Sequence, residues 1–292
     1  MAVFSGDGSH SDALSYCAAE VRSGDNDGFL TVLFAPAERR EALFAVLAFN
    51  LEIARTRELV HEPLMGRIRL QWWRDSLEAL YSAGAAPVAG HEVLHALADS
   101  IGRYRLSRCH FDALIEARET DLDDQAPATL AAFLDYAEST SVPLIMLALE
   151  ALEAGPAAAP AGRHVGLARA LVGLLRAVPY QIQHGRVMLP VELLARHDLS
   201  AGDLLGGRAR ASALAAVAAE IATLATEHLL AARRLSGSIP PGAVPALLPA
   251  TLADYYLRRM ARSGYDLLAP AAGLRHPVRP LLVAWHAWRG RY

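Results

Sequence analysis

Residues 166–190 read GLARALVGLLRAVPYQIQHGRVMLP. Apolar residues recur at three- and four-residue intervals here, which predicts a helix over His164–Val178 that stops at Pro179. Gly185 then marks a turn, and Pro190 opens a second helix, because a residue with fixed φ and no N–H suits a first turn. Nothing in the segment alternates with the period of two that a half-buried strand requires.

The same spacing extends outward from about residue 37, so the chain reads as all-α. Pro36 suits the first turn of a helix whose face carries Leu43, Val46, Leu47, Leu51, Ala54 and Glu58 and which reaches about Val60. A second helix starts near Pro63, carries Ile68, Trp72, Leu77 and Leu80, and stops in the segment Gly84–Gly90. Shorter helices follow at His91–Ile101 and Ser107–Arg118, then a long one at Thr129–Leu152 with a bend at Pro143. EAGPAAAPAG (153–162) reads as a linker joining two halves of a single domain over residues 1–292. Pro190–Arg196, Ser212–Leu235, Pro245–Tyr265 and Pro277–Arg289 complete about eleven helices, without a repeat.

Of the 292 residues, 53% are hydrophobic and 20% charged, which is enough apolar material for a sizeable core. The net charge of −3 lacks the basic excess with which proteins displace counterions from nucleic-acid phosphates, so no nucleic-acid partner is expected. All 28 basic residues are arginine. Without an amine, Schiff-base chemistry, a pyridoxal-phosphate anchor and the lysine of a phosphate-binding P-loop are excluded. Cys17 and Cys109 are too few and too far apart for a thiolate metal cage or a disulfide framework. The opening MAVFSGDGSH has neither a basic leader nor an apolar core, and no uncharged apolar run reaches the roughly 18 residues of a membrane span, so the expected location is cytoplasmic, peripheral to the inner membrane at most.

Three motifs have competing readings. His91 and His95 with Glu92 spell H-E-V-L-H, the zinc-protease spacing, but no obvious third ligand follows, and surface histidines capping a helix start are the better account of the pattern. Asp121, Asp123 and Asp124 could face a hard cation, yet lack the glycine turn and terminal glutamate of a calcium loop, which leaves a solvated helix end. Trp72 with Trp73, and Trp285 with Trp288, are spaced so that only one of each pair must face inward, and core packing is the default for these large aromatics.

In the opening segment Leu171, Leu175, Arg176, Val178, Gly185, Arg186, Leu189 and Pro190 stand in the register of Q-L-x-N-I-L-R-D-V-x-E-D followed by G-R-x-Y-L-P. Ala48 and Phe49 begin a second stretch in the register of A-F-C-R-x-x-D-D-x-x-D. On these motifs the chain resembles the squalene/phytoene synthase family, and RLQWWRDSLEALY, HEVLHAL and FDALIEARETDL follow that family's order of elements. The resemblance implies an isoprenoid-synthase-like fold with a central apolar cavity. It also locates what is missing: the family's carboxylate positions fall on Ala54, Arg55 and Glu58 in one motif and on Ala177, Tyr180 and Gln181 in the other, with Pro179 among them. In such synthases carboxylates on two facing helices hold magnesium against a diphosphate leaving group; with one of six remaining, that cage cannot assemble, and no catalytic residue or metal ligand is expected.

AFNLEIA, Tyr136–Ser141, GLLRAVPY and WHAWRGRY together resemble a non-catalytic branch of the family that acts in assembly of respiratory complex I. That resemblance implies an early membrane-arm intermediate of NADH dehydrogenase as partner and no cofactor. Two alternatives stand beside it. One is a head-to-head prenyltransferase using magnesium; the other is a protein that binds a prenyl lipid or phospholipid through Arg55, Arg176 and Arg186, whose paired donors can grip phosphate directly. Arg55 could instead pair with Glu52 or Glu58 on its own helix.

Overall fold

Ser15 accepts a hydrogen bond from the amide of Ala18, and Asp25 accepts one from that of Gly28. These caps open two helices that the apolar spacing does not announce, α1 (Tyr16–Gly24) and α2 (Asn26–Val32). The computed structural model describes residues 14–60, 62–82, 90–123, 125–269 and 277–292. The opening MAVFSGDGSH, most of Gly84–Gly90 and Asp124 lie outside them. Every regular element among the described residues is helical.

The helix expected from residue 37 to Val60 is divided. α3 (Ala37–Ala54) ends at Arg55, and a single turn, α4 (Thr56–Leu59), follows. α3 is also buried on more than one face, because α1, α2, α6 (Glu92–Tyr104), α7 (Arg108–Glu119) and α8 (Leu130–Ala151) all pack against it. Phe49 sits at its centre, edge-on to Trp73 and to Phe111 with ring centroids 5.2 Å away in each case. Trp73 lies on α5 (Pro63–Tyr81), whose buried face is Gly66, Leu70, Trp73 and Leu77, whereas Ile68 and Trp72 face outward. Cys17 on α1 is buried, which pushes its thiol up to about 12 and leaves no thiolate at neutral pH.

The stretch 153–162 is not a spacer. A 3-10 turn at Pro156–Ala158 runs directly into α9 (Ala159–Gln183), which packs along α8. Gly162 and Gly166, one turn apart, permit that approach: a Cβ at Gly166 would lie 3.0 Å from the Cα of Val142. α9 also continues through Pro179 for one further turn instead of stopping there, and Gly185, at a φ of +73°, makes the turn out of it.

After α10 (Val191–Arg196) a capping box between Ser200 and Asp203 opens α11 (Ala201–Leu205), a helix the apolar spacing misses. α12 (Ala211–Arg234) lies against the other side of α9. The single helix expected at Pro245–Tyr265 is two, α13 (Val244–Leu247) and α14 (Pro249–Arg262), since Pro249 restarts it. α15 (Val278–Trp288) packs on α14 and α2. By length and composition α8 and α12 could each cross a membrane, although both contain runs packed against α9.

Candidate functional site

A cavity of about 270 Å³ lies where α2, α3, α7, α8, α9 and α14 converge. The central cavity implied by the resemblance is thus present, with charged and hydroxyl side chains set among apolar ones. α2 contributes Asp27 and its cap Asp25, and α9 contributes Arg169 and Arg176, two helical turns apart on one face. Arg169 donates to Asp25 at 3.0 Å and Arg176 to Asp27 at 3.1 Å. Asp27 also accepts from Tyr256 of α14 at 2.8 Å and from Arg279 of α15, and Arg279 donates to the Tyr256 hydroxyl at 3.0 Å and to Asn26 at 3.1 Å. Arg176 lies over the Tyr256 ring, 3.7 Å from its centroid. Burial, only partly opposed by Arg176, raises the Tyr256 pKa, so the phenol stays protonated and donates.

The opposite wall has its own polar cluster. Tyr136 of α8 donates to Asp121 at 2.7 Å, and Arg118 of α7 donates to the same carboxylate at 3.2 Å. Asp121 is therefore buried and engaged within the protein, not a solvated helix end, while Asp123 pairs with Arg67 at 3.1 Å. Between the walls the Oδ1 of Asn50, a residue only 8% exposed, and the Nε atoms of Arg118 and Arg176 have no hydrogen-bond partner. The lining thus offers three guanidiniums against two carboxylates, with donors to spare. A narrow apolar arm of about 40 Å³, bounded by Leu43, Val46, Leu47, Leu144 and Ile145, shares Gly28, Arg169 and Pro249 with the cavity. It has room for no more than a few waters, too little for a prenyl chain.

The six motif positions lie apart from this polar centre. Glu58 and Tyr180 meet, the Tyr180 hydroxyl donating to Glu58 at 3.1 Å, so the two motifs do face each other across α4 and α9. Ala54, Ala177 and Gln181 are half-buried beside them and supply no charge. Arg55 pairs with neither Glu52 nor Glu58; it reaches α1 and bonds Glu20 at 3.1 Å, with its guanidinium against Gly24. Arg186 donates to the backbone oxygen of Asp121 at 3.1 Å. Of the three arginines only Arg176 lines the cavity, so the structure does not bring Arg55, Arg176 and Arg186 to one mouth.

These residues do not fit a magnesium–diphosphate cage. The one surviving motif acid is bound to a phenol, and the cavity's own carboxylates, Asp25 and Asp27, are already held by arginine. His91 is the cap residue of α6 and stacks against Trp72 and Trp73, His95 is exposed, and no group of three or more potential metal ligands occurs among the described residues. Asp25, Asp27, Asn50, Arg118, Tyr136, Arg169, Tyr256 and Arg279 are not marked as site residues by any motif in the sequence. The caps Ser15 and Asp25 could have revealed α1 and α2, but no spacing joins residues 25–27 to residue 279.

Fold and site define an all-helical isoprenoid-synthase scaffold with an arginine-held central cavity and with motif positions that keep only one acid. A model of squalene/phytoene synthase matches residues 21–286, and the chain belongs to that family. It is 33% identical over 280 residues to NADH dehydrogenase (ubiquinone) complex I, assembly factor 6, of Bos taurus, covering 95% of this chain and 82% of that protein. Presqualene diphosphate synthase of Rhodopseudomonas palustris is 30% identical over 226 residues, covering 76% and 77%. A dehydrosqualene synthase crystal structure superimposes with a TM-score of 0.79 at 18% identity, over 92% of this chain and 93% of that one, which shows the shared fold.

Proposed function

We propose that this protein is a non-catalytic member of its family that acts in assembly of respiratory NADH dehydrogenase, at the membrane surface and on an early membrane-arm intermediate. One observation carries the reading: five of the six motif positions that would hold magnesium are occupied by Ala54, Arg55, Ala177, Tyr180 and Gln181. Stabilising a departing diphosphate is usually the largest catalytic contribution, and without the cage several kcal/mol of barrier lowering are lost. The likeness to assembly factor 6 over nearly the whole chain supports a role in complex I assembly.

Deletion of the gene tests it. The expected result is less assembled NADH dehydrogenase on native gels with carotenoid, hopanoid and sterol precursors unchanged. Normal enzyme levels with missing isoprenoids would overturn the proposal in favour of a synthase.

A further inference from the structure

α15 turns an apolar stripe away from the protein. Val278, Leu281, Trp285 and Trp288 follow one another at helical spacing on its outer face, with Leu281 72%, Trp285 51% and Trp288 77% exposed. Neither C-terminal tryptophan faces inward, although the spacing required one of them to: the inner face is taken by Val283 and by Arg279, whose guanidinium is committed to Asp27. About a quarter-turn around the helix from the stripe, Leu282 and His286 form one wall of a cleft of about 600 Å³. Arg233, Arg258, Arg262 and Arg291 line that cleft against a single acidic side chain, Asp254. Asp254 pairs with Arg233 and with Arg258, at 3.0 Å each, and Arg233 also donates to the backbone oxygen of Tyr292 at 3.3 Å. Arg262 and Arg291 have no carboxylate partner among the described residues.

Two further polar atoms of the cleft have no partner within the protein. The hydroxyl of Thr251, a residue only 2% exposed, lines the cleft without a hydrogen-bond partner, and so does the buried Nδ1 of His286. An unsatisfied buried polar atom is costly unless something fills its valence. The sequence shows the same bias: residues 258–292 contain seven arginines and one aspartate, in a chain whose net charge is −3. Tryptophan beside arginine, with an apolar stripe between them and the surrounding water, is the side-chain set found at membrane–water interfaces.

We propose that the outer face of α15 and the adjoining arginine cleft dock this protein on an anionic phospholipid surface, the tryptophans entering the headgroup layer and lipid phosphates taking Arg262 and Arg291. A protein partner would also favour exposed tryptophan, but it does not require a four-arginine cleft with one acid beside the stripe. Because Arg279 ties the inner face of α15 to Asp27, docking would bring the membrane to within about one helix diameter, ~10 Å, of the central cavity's polar cluster.

Flotation of the purified full chain with vesicles tests this, comparing phosphatidylcholine alone with an equal mixture of phosphatidylcholine and phosphatidylglycerol. The wild type should float with the mixed vesicles only, and less so as salt is raised. Trp285→Ser with Trp288→Ser should abolish flotation, and Arg262→Gln and Arg291→Gln should each weaken it about fivefold. These side chains are solvent-exposed, so unchanged thermal unfolding of each variant serves as the folding control. Equal flotation with both vesicle types, or tryptophan variants that float like the wild type, would overturn the proposal. Absence of wild-type flotation would do the same: if inorganic phosphate then raised the melting temperature through Arg262 and Arg291, the cleft would be a soluble-phosphate site, and if the tryptophan variants still lowered NADH dehydrogenase assembly, the stripe would belong to a protein partner.

Discussion

Asp27 is the residue on which the centre of the molecule turns. It joins four helices through Arg176, Tyr256 and Arg279, and Arg279 is buried with only 5% exposure. Truncating one member of such a pair strands the other charge, which costs more than the pair itself contributes. Asp27→Ala should therefore destabilise the fold by about 3 kcal/mol in denaturant unfolding. Adding Arg279→Met should restore part of that loss, because the stranded guanidinium is then gone. Equal stability of the single and double variants would show that Arg279 is not the group left uncompensated. The arginines singled out in the sequence divide in the same physical terms. Arg176 is drawn to Asp27 in the cavity, whereas Arg55, at the break between α3 and α4, is drawn to Glu20 and leaves the motif.

At the scale of elements, α9 is the spine, with α8 on one side and α12 on the other. Where α9 meets α12, the Nδ1 atoms of His164 and His228 stand 2.9 Å apart. One must donate and the other accept, so the pair tolerates one shared proton and not two. Burial lowers the pKa of both histidines; Arg163 adds to this at His164, as do His164 and then Arg163 at His228, while Glu138 at both sites and Glu227 at His228 oppose it. A histidine whose folded pKa is below its unfolded value near 6.5 binds fewer protons in the native state, so its contribution is present above that pH and is lost as the pH falls through the folded value. Wild-type protein should lose stability on acidification from about pH 7 to 5, and the His164→Gln/His228→Gln variant should show a shallower slope in the same denaturant titration. Identical slopes would exclude the pair as the source. Neither partner is conspicuous in the sequence, because 64 residues separate them.

For the whole molecule, two features bear on synthase chemistry, the motif acids and the cavity. Restoring the acids with Ala54→Asp, Arg55→Asp, Ala177→Asp, Tyr180→Glu and Gln181→Asp should permit magnesium-dependent binding of inorganic diphosphate, read by calorimetry. It should still yield no squalene or phytoene from farnesyl or geranylgeranyl diphosphate, because the apolar arm of about 40 Å³ cannot receive the chain. Appearance of either product would show that the arm opens on binding. Much of this protein is written locally. Three-and-four apolar spacing sets the long helices, Gly185 and Pro190 set the turn and restart after α9, and the missing acids at residues 54, 55, 177, 180 and 181 are plain from register, since each depends on neighbours within a few turns. The short capped helices α1, α2 and α11 are less legible because a side-chain cap, not an apolar stripe, holds their first turns. What only folding decides is how distant charges share a buried volume: Asp27 with Arg279, a pairing 252 residues apart, and the exposure of Trp285 and Trp288 once Arg279 has claimed the inner face of α15. A buried guanidinium must find a carboxylate wherever the chain brings one, and no periodicity records where that will be.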